Sequence, residues 1–239
     1  MNDVTLSGII SGSFQEYGND GILFKAVVSA GSNNSDEFTC LAFSNNASFI
    51  KHKGKSGQRI VFQGRLGSDK LGTENYHSAL TVGRVLAITD SDNGTDSASI
   101  VVTGESEVQD IRYVGQKETP LVPIKMTNLR SFRGRDGQTN TYKTFIGASA
   151  WSDRAVALNA SSPEGVYPLV VSGFLRSRNY ENQDGDTIEK IDVWVQEVLQ
   201  GEGLFGDEDS SPAETSKLEK SSKTEKKEPR RAAVDDAPF

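Results

Sequence analysis

The chain has 239 residues, 35% of them hydrophobic and 25% charged, with 23 glycines and 7 prolines. That is enough chain to bury a core in one large or two small domains, and no stretch approaches the roughly 20 apolar residues of a membrane-spanning helix. The formal net charge of −7 argues against a nucleic-acid partner unless the bases and acids are segregated along the chain.

The opening residues, MNDVTLSGII, lack the basic segment and apolar run of an export signal, which sets the expectation of a cytoplasmic protein. Cys40 is the single cysteine, so it makes no internal disulfide and joins no multi-cysteine zinc site. Within FTCLAF it reads as a small apolar strand residue.

Taken in chain order, EFTCLAFSNNASFIKHKGKSG (37–57) predicts a strand ending in Phe43, a short helix with a polar start, and a glycine-bearing turn. RIVFQGRL (59–66) then alternates, with Ile60, Phe62, Gly64 and Leu66 on one side and Arg59, Val61, Gln63 and Arg65 on the other. A period of two marks a half-buried strand. The turn-rich GSDKLGTEN (67–75) leads into a further strand, SALTVGRVLAI (78–88). Residues 91–99, SDNGTDSAS, read as a polar linker.

The pattern then returns. KTFIGASAWSDRAVALNASSPEG (143–165) again gives a strand ending in an aromatic, a helix and a glycine turn, and YPLVVSGFLRSRNY (167–180) alternates like its counterpart. Leu169, Val171, Gly173 and Leu175 are expected to face in, and Val170, Ser172, Phe174 and Arg176 out. The turn ENQDGD (181–186) and the strand IEKIDVWVQEVL (188–199) complete the copy. Phe43 precedes Gly64 by 21 residues and Trp151 precedes Gly173 by 22. Glycines inside strands, at 8, 64, 83, 147 and 173, suit the sharp bends of a small closed barrel.

Five strands with one helix between the third and fourth is the order of the OB-fold. The expected fold is therefore all-β, with tandem five-stranded barrels over residues 1–90 and 100–200. A β-sandwich is the competing architecture, but it leaves the helix at the same place in both halves unexplained. After Gly201 the sequence turns to Ser, Glu, Lys, Asp and Pro with little to bury, a signature of disorder.

Catalytic chemistry is missing from this pattern. His52 and His77 lie in turn-like segments without a Cys or His neighbour, and the acids are spread along hairpins, so neither a metal site nor acid–base work is supported. GKS at 54–56 has Phe49 where a phosphate loop needs glycine. No enzyme activity and no cofactor are expected.

The informative residues lie in the second half. SFRGRDGQ (131–138) sets Phe132 beside Arg130, Arg133 and Arg135 in a glycine-rich loop. Phe174, Arg176, Arg178 and Tyr180 share the outward side of one strand. Rings and guanidinium groups alternating on a solvated face suit single-stranded nucleic acid, whose bases stack on rings while its phosphates meet arginine. A hairpin packed on a neighbouring subunit through Phe174 and Tyr180 is the alternative. Trp194 is expected to point out between the inward Ile191, Val193 and Val195, as an interface residue or a DNA contact. The charge objection is answered locally, since binding follows the field in the groove while the acids sit elsewhere.

These features resemble the bacterial and bacteriophage single-stranded DNA-binding proteins, whose members carry an OB-fold, a disordered linker and a terminal acidic peptide ending in Pro-Phe. The final residues here are Asp235, Asp236, Ala237, Pro238 and Phe239. The resemblance implies that this ending recruits polymerase, helicase, primase or recombination enzymes.

It further implies four base-stacking aromatics: Phe132 in the loop position, Phe145 and Trp151 six residues apart around the third strand, and Tyr180 seven residues past Gly173. Phe174, Arg130, Arg133, Arg135, Lys143, Arg176 and Arg178 join them as DNA contacts. Phe43 is the first-half counterpart of Trp151, whereas Glu37 and Leu71 stand where aromatics are expected. The likeness also implies a homodimer, although a monomer with its halves paired fits the sequence equally. A bacterial cytoplasm or nucleoid, or an infected bacterial cell, is the implied location. Three functions compete: a coat for single-stranded DNA, an adaptor working mainly through its tail, and an OB-fold binder of RNA or oligosaccharide. The ending DDAPF argues against the last, and the aromatic–arginine face against the second.

Overall fold

In a computed structural model of the chain, residues 1–29, 34–91, 94–133 and 137–200 are described. Their strands are β1 (Asn2–Tyr17), β2 (Gly21–Ser29), β3 (Ser35–Phe43), β4 (Arg59–Asp69), β5 (His77–Thr89), β6 (Ser97–Val108), β7 (Arg112–Val114), β8 (Thr119–Arg133), β9 (Thr139–Trp151), β10 (Gly165–Glu181) and β11 (Thr187–Gln200). Helix α1 (Ser44–Lys53) joins β3 to β4, and α2 (Asp153–Ser161) joins β9 to β10.

The first five strands close on themselves in the order β1–β2–β3–β5–β4 and back to β1, a five-stranded barrel. Alternation drives it. Ile60, Phe62 and Leu66 of β4 are buried with Phe24, Phe38 and Leu80 from the strands around them. Cys40 is fully buried in the same core, and burial pushes its thiol far above the ordinary range. Helix α1 turns Ala47 and Ile50 inward, three positions apart, and carries Lys51, His52 and Lys53 in its last turn, where positive charge favours the helix dipole.

The second half repeats the ladder as β6–β10–β11–β9–β8, with β8 returning to β6 through Ile124–Thr127 against Glu105–Val108. Equivalent positions behave alike. Gly64 and Gly173 each sit at a register shift of their strand. A Cβ there would stand 2.2 Å from the Thr81 carbonyl oxygen and 2.3 Å from that of Trp194, respectively, so only glycine permits these close approaches. Each helix follows an aromatic, and a serine of positive φ stands at its start: Phe43–Ser44 (φ 52) and Trp151–Ser152 (φ 54).

The halves are joined strand to strand. Asn2–Ser7 of β1 run antiparallel to Ser97–Val102 of β6, and the buried side chains of both halves form one continuous cluster. β6 begins at Ser97, inside the polar 91–99 segment. Arg59 departs from its expected outward position and is buried. Its guanidinium pairs with Asp96 and donates to the Ser91 carbonyl and to Ser7 Oγ, because the segment leading into β6 folds back over it.

Candidate nucleic-acid interface

Register decides which side chains share a face. In β8 and β9 the even-numbered residues Val122, Ile124, Met126, Ile146, Ala148 and Ala150 are buried, so the odd-numbered Phe145 and Trp151 of β9 lie on the outer side. Parallel pairing sets Trp194 of β11 beside Ser149, and antiparallel pairing sets Phe174 of β10 beside Trp194 and Arg176 beside Asp192. The outer surface of β9, β11 and β10 thus carries Phe145, Trp151, Trp194, Phe174, Arg176, Arg178 and Tyr180 together. Phe145 is 75% exposed, Phe174 50%, Tyr180 46% and Trp194 42%. Exposed rings in such number contribute little to the core and stand ready for a flat partner.

The centre of this face is a short cluster of tilted rings and a guanidinium. Trp151 and Trp194 have ring centroids 5.8 Å apart, and the Arg176 guanidinium lies 4.6 Å over the Trp194 ring. Trp194 points outward as expected, with Ile191, Val193 and Val195 buried on the other side of its strand. Trp151 Nε1 is buried without a hydrogen-bond partner among the described residues, a cost that a fold of this kind rarely leaves unmet. Gly147 completes the face by omission: a Cβ there would lie 2.5 Å from Asp192 Oδ1.

Phe132 belongs elsewhere. The β8–β9 hairpin runs without a register shift and pairs Arg130 with Tyr142 and Phe132 with Asn140 on one face, but Thr127 with Phe145 and Leu129 with Lys143 on the other. Phe132 stacks on Tyr142 at 5.3 Å, nearly parallel, and the Arg130 guanidinium lies 5.7 Å over the Phe132 ring. Three of the four expected stacking residues therefore share a surface, and the fourth sits on the opposite side of its hairpin. Ser131–Arg133 are strand rather than loop, since the ladder continues to Arg133↔Thr139. Arg133 donates to the Gly137 carbonyl. Lys143 lies on the Phe145 side. Arg135 and Asp235–Phe239 fall outside the described residues.

Several cations of the face have carboxylate partners. Arg176 Nε is 3.1 Å from Asp36 Oδ2, Arg178 Nε is 2.5 Å from Asp192 Oδ2, and Lys190 reaches Asp192 at 3.9 Å. Arg130 and Lys143 have no carboxylate partner among the described residues.

The corresponding face of the first half, on β2, β3 and β5, is covered. The β10–β11 arm lies against it: Glu189 accepts from Thr39 N at 2.9 Å, Thr39 Oγ1 at 2.5 Å and Lys25 Nζ at 2.8 Å. Asp36 Oδ1 accepts from Ser177 N at 3.0 Å, and His77 Nδ1 accepts from Glu189 N at 3.2 Å. Lys25 also reaches Glu37 at 3.4 Å. Burial alone would lower the Lys25 pKa, but the Glu189 hydrogen bond and the charges of Glu189 and Glu37 hold it above its ordinary value. Phe43 remains at the end of this face, 37% exposed and edge-on to Tyr17. The sequence reading missed Tyr142, Asp36 and Glu189. Tyr142 carried a weak signal as an aromatic in a strand, but its facing follows only from the hairpin register, and the two carboxylates make contacts 141 and 150 residues away.

A scan of protein-family models finds no match, and neither does a comparison with curated proteins. Solved structures do match. The wild-type single-stranded DNA-binding protein from Thermus aquaticus aligns with 90% of this chain and 97% of its own, at a TM-score of 0.61 and 13% identity. A deletion variant of the same protein aligns with 87% of this chain and 98% of its own, at a TM-score of 0.60 and 16% identity. The chain shares their fold. At these identities the likeness rests on backbone geometry, and the side chains of the face have to be argued on their own chemistry.

Proposed function

We propose that the chain binds single-stranded DNA without sequence preference, coating and protecting it during replication, recombination and repair in the bacterial cytoplasm or nucleoid. The observation that carries this reading is the outer face of β9, β11 and β10, where Phe145, Trp151, Trp194, Phe174 and Tyr180 stand together with Arg176 and Arg178. Every base has a flat face, so stacking tolerates any sequence and contributes about 1–3 kcal/mol per base. Duplex DNA keeps its bases stacked inside, and these rings have nothing to meet on it. The Thermus aquaticus structures, described as single-stranded DNA-binding proteins, support the same assignment by fold.

In this reading both halves are OB barrels in tandem, a proposal supported by the repeated ladder order, the matched glycines and the matched helices. Asp235–Phe239 recruit partner enzymes, the Phe239 ring entering an apolar pocket while the aspartates supply long-range attraction. Two chains form a homodimer. The test is equilibrium binding of the full chain to an oligo-dT strand and to a duplex of equal length. Strong preference for the single strand, weakened in F145A by about 1–3 kcal/mol, is the expected result. Equal affinity for both, or an F145A variant that binds as the wild type does, overturns it.

A further inference from the structure

Phe132 poses a question that the outer face leaves open, because it sits with Arg130 and Tyr142 on the opposite side of the β8–β9 hairpin. That side does not face open solvent alone. It borders a cleft of about 200 Å³ whose far wall is the first half, with Arg65 of β4 and Thr81 of β5 opposite Arg130, Tyr142 and Thr144. Arg65 and Thr81 are direct cross-strand partners just past the register shift at Gly64, so the far wall is the paired surface of β4 and β5. Among the described residues no carboxylate lines the cleft. The crevice beside Trp194 instead includes Asp36 and Asp96, and the groove under Phe145 includes Glu105 and Glu107.

Two arginines lining one cleft, with no carboxylate among its described residues, give it a positive field that attracts an anion. Beyond them the Tyr142 and Phe132 rings lie stacked and open, Tyr142 59% exposed. The ligand that matches both features carries repeated negative charge and flat, unpaired faces. An unpaired nucleic-acid strand has both, and the Phe145 surface lies just across the same hairpin. An acidic peptide would satisfy the arginines but not the stacked rings.

We propose that the bound strand turns around the β8–β9 hairpin, passing from the Phe145 side onto a second contact strip made by Arg65, Arg130, Tyr142 and Phe132. This rests on the single-strand reading above and extends it. The first half, whose β2–β3–β5 face is covered by the arm, joins the binding site through Arg65, which meets a phosphate, and Tyr142 takes a base.

The experiment measures oligo-dT affinity across a salt series for the wild type and for R65A, R65K, Y142A and F145A, each checked by circular dichroism. R65A should weaken binding 3- to 10-fold and reduce the slope of log K against log salt by about 0.7, the contribution of one phosphate on a single strand. R65K should keep that slope, and Y142A should weaken binding at least fivefold. If R65A and Y142A bind as the wild type does while F145A is weakened, the second strip is wrong and the outer face stands. If the wild type does not bind oligo-dT, the underlying function fails first. Loss of poly-glutamate binding in R65A with DNA affinity unchanged also overturns the proposal and makes the cleft a protein-docking site.

Discussion

Glu189 accepts the backbone N–H of Thr39 at 2.9 Å, although 150 residues separate them. Thr39 meets β2 on one side, while β5 pairs with β3 only at Cys40 and Leu41. The carboxylate therefore takes the place of a missing ladder partner at the open edge of β3. Asp36 does the reverse for Ser177 of β10. Each half thus lends a carboxylate to a backbone amide of the other, and the arm bearing Arg178 and Tyr180 is held in place.

Removing Glu189 leaves Thr39 N and Oγ1 without their acceptor in a half-buried setting and leaves Lys25 with Glu37 alone. An unsatisfied buried donor costs about 1–3 kcal/mol. E189A should lower the free energy of unfolding by that amount in urea titrations. A loss below about 0.5 kcal/mol, within the scatter of ordinary surface substitutions, would show that the arm is held by other contacts.

Alkaline pH should loosen the same region. The Lys25 pKa is raised in the folded state, so its contribution is complete below the ordinary lysine value, roughly 10.4, and is lost as pH rises through the folded value. Tyr17 acts in the same direction. Its hydrogen bond to Asp69, burial and the Asp69 charge push its pKa up to about 12, so the folded state holds a proton that the unfolded chain gives up earlier. Stability should fall from roughly pH 10 upward. K25M and Y17F should each remove part of that fall, and a double variant with an unchanged alkaline profile would contradict the assignment.

Asp192 sets the charge of the outer face of β9, β11 and β10. It takes up Arg178 and Lys190, two cations that a phosphate would otherwise meet. D192N should therefore strengthen oligo-dT binding several-fold and steepen the salt dependence by about 0.7 for each phosphate gained. Affinity unchanged or weakened in D192N would mean that the pair orients Arg178 productively.

The repeat was legible in the sequence because it is written in local features: Gly64 and Gly173 at matched distances from Phe43 and Trp151, helices behind both aromatics, and a period of two between. The outward facing of Trp194 followed from the same period. Facing across the β8–β9 turn did not, because parity carries from Phe132 to Phe145 only through the register of a ladder whose turn length the residues leave open. Arg59 misled for a different reason. Its strand alternates correctly, but a buried guanidinium is set by what folds over it, and Asp96 arrives from a segment that reads as linker. Asp36 and Glu189 were invisible for want of any local signal at all.

The most direct measurement is the fluorescence of Trp151 in W194F, where it is the sole remaining indole of the 2 in the chain. Titration with oligo-dT should quench its emission saturably, and the equivalent duplex should leave it nearly unchanged. Emission that stays constant while anisotropy shows the labelled oligonucleotide bound would place the strand away from β9, β11 and β10 and contradict the account.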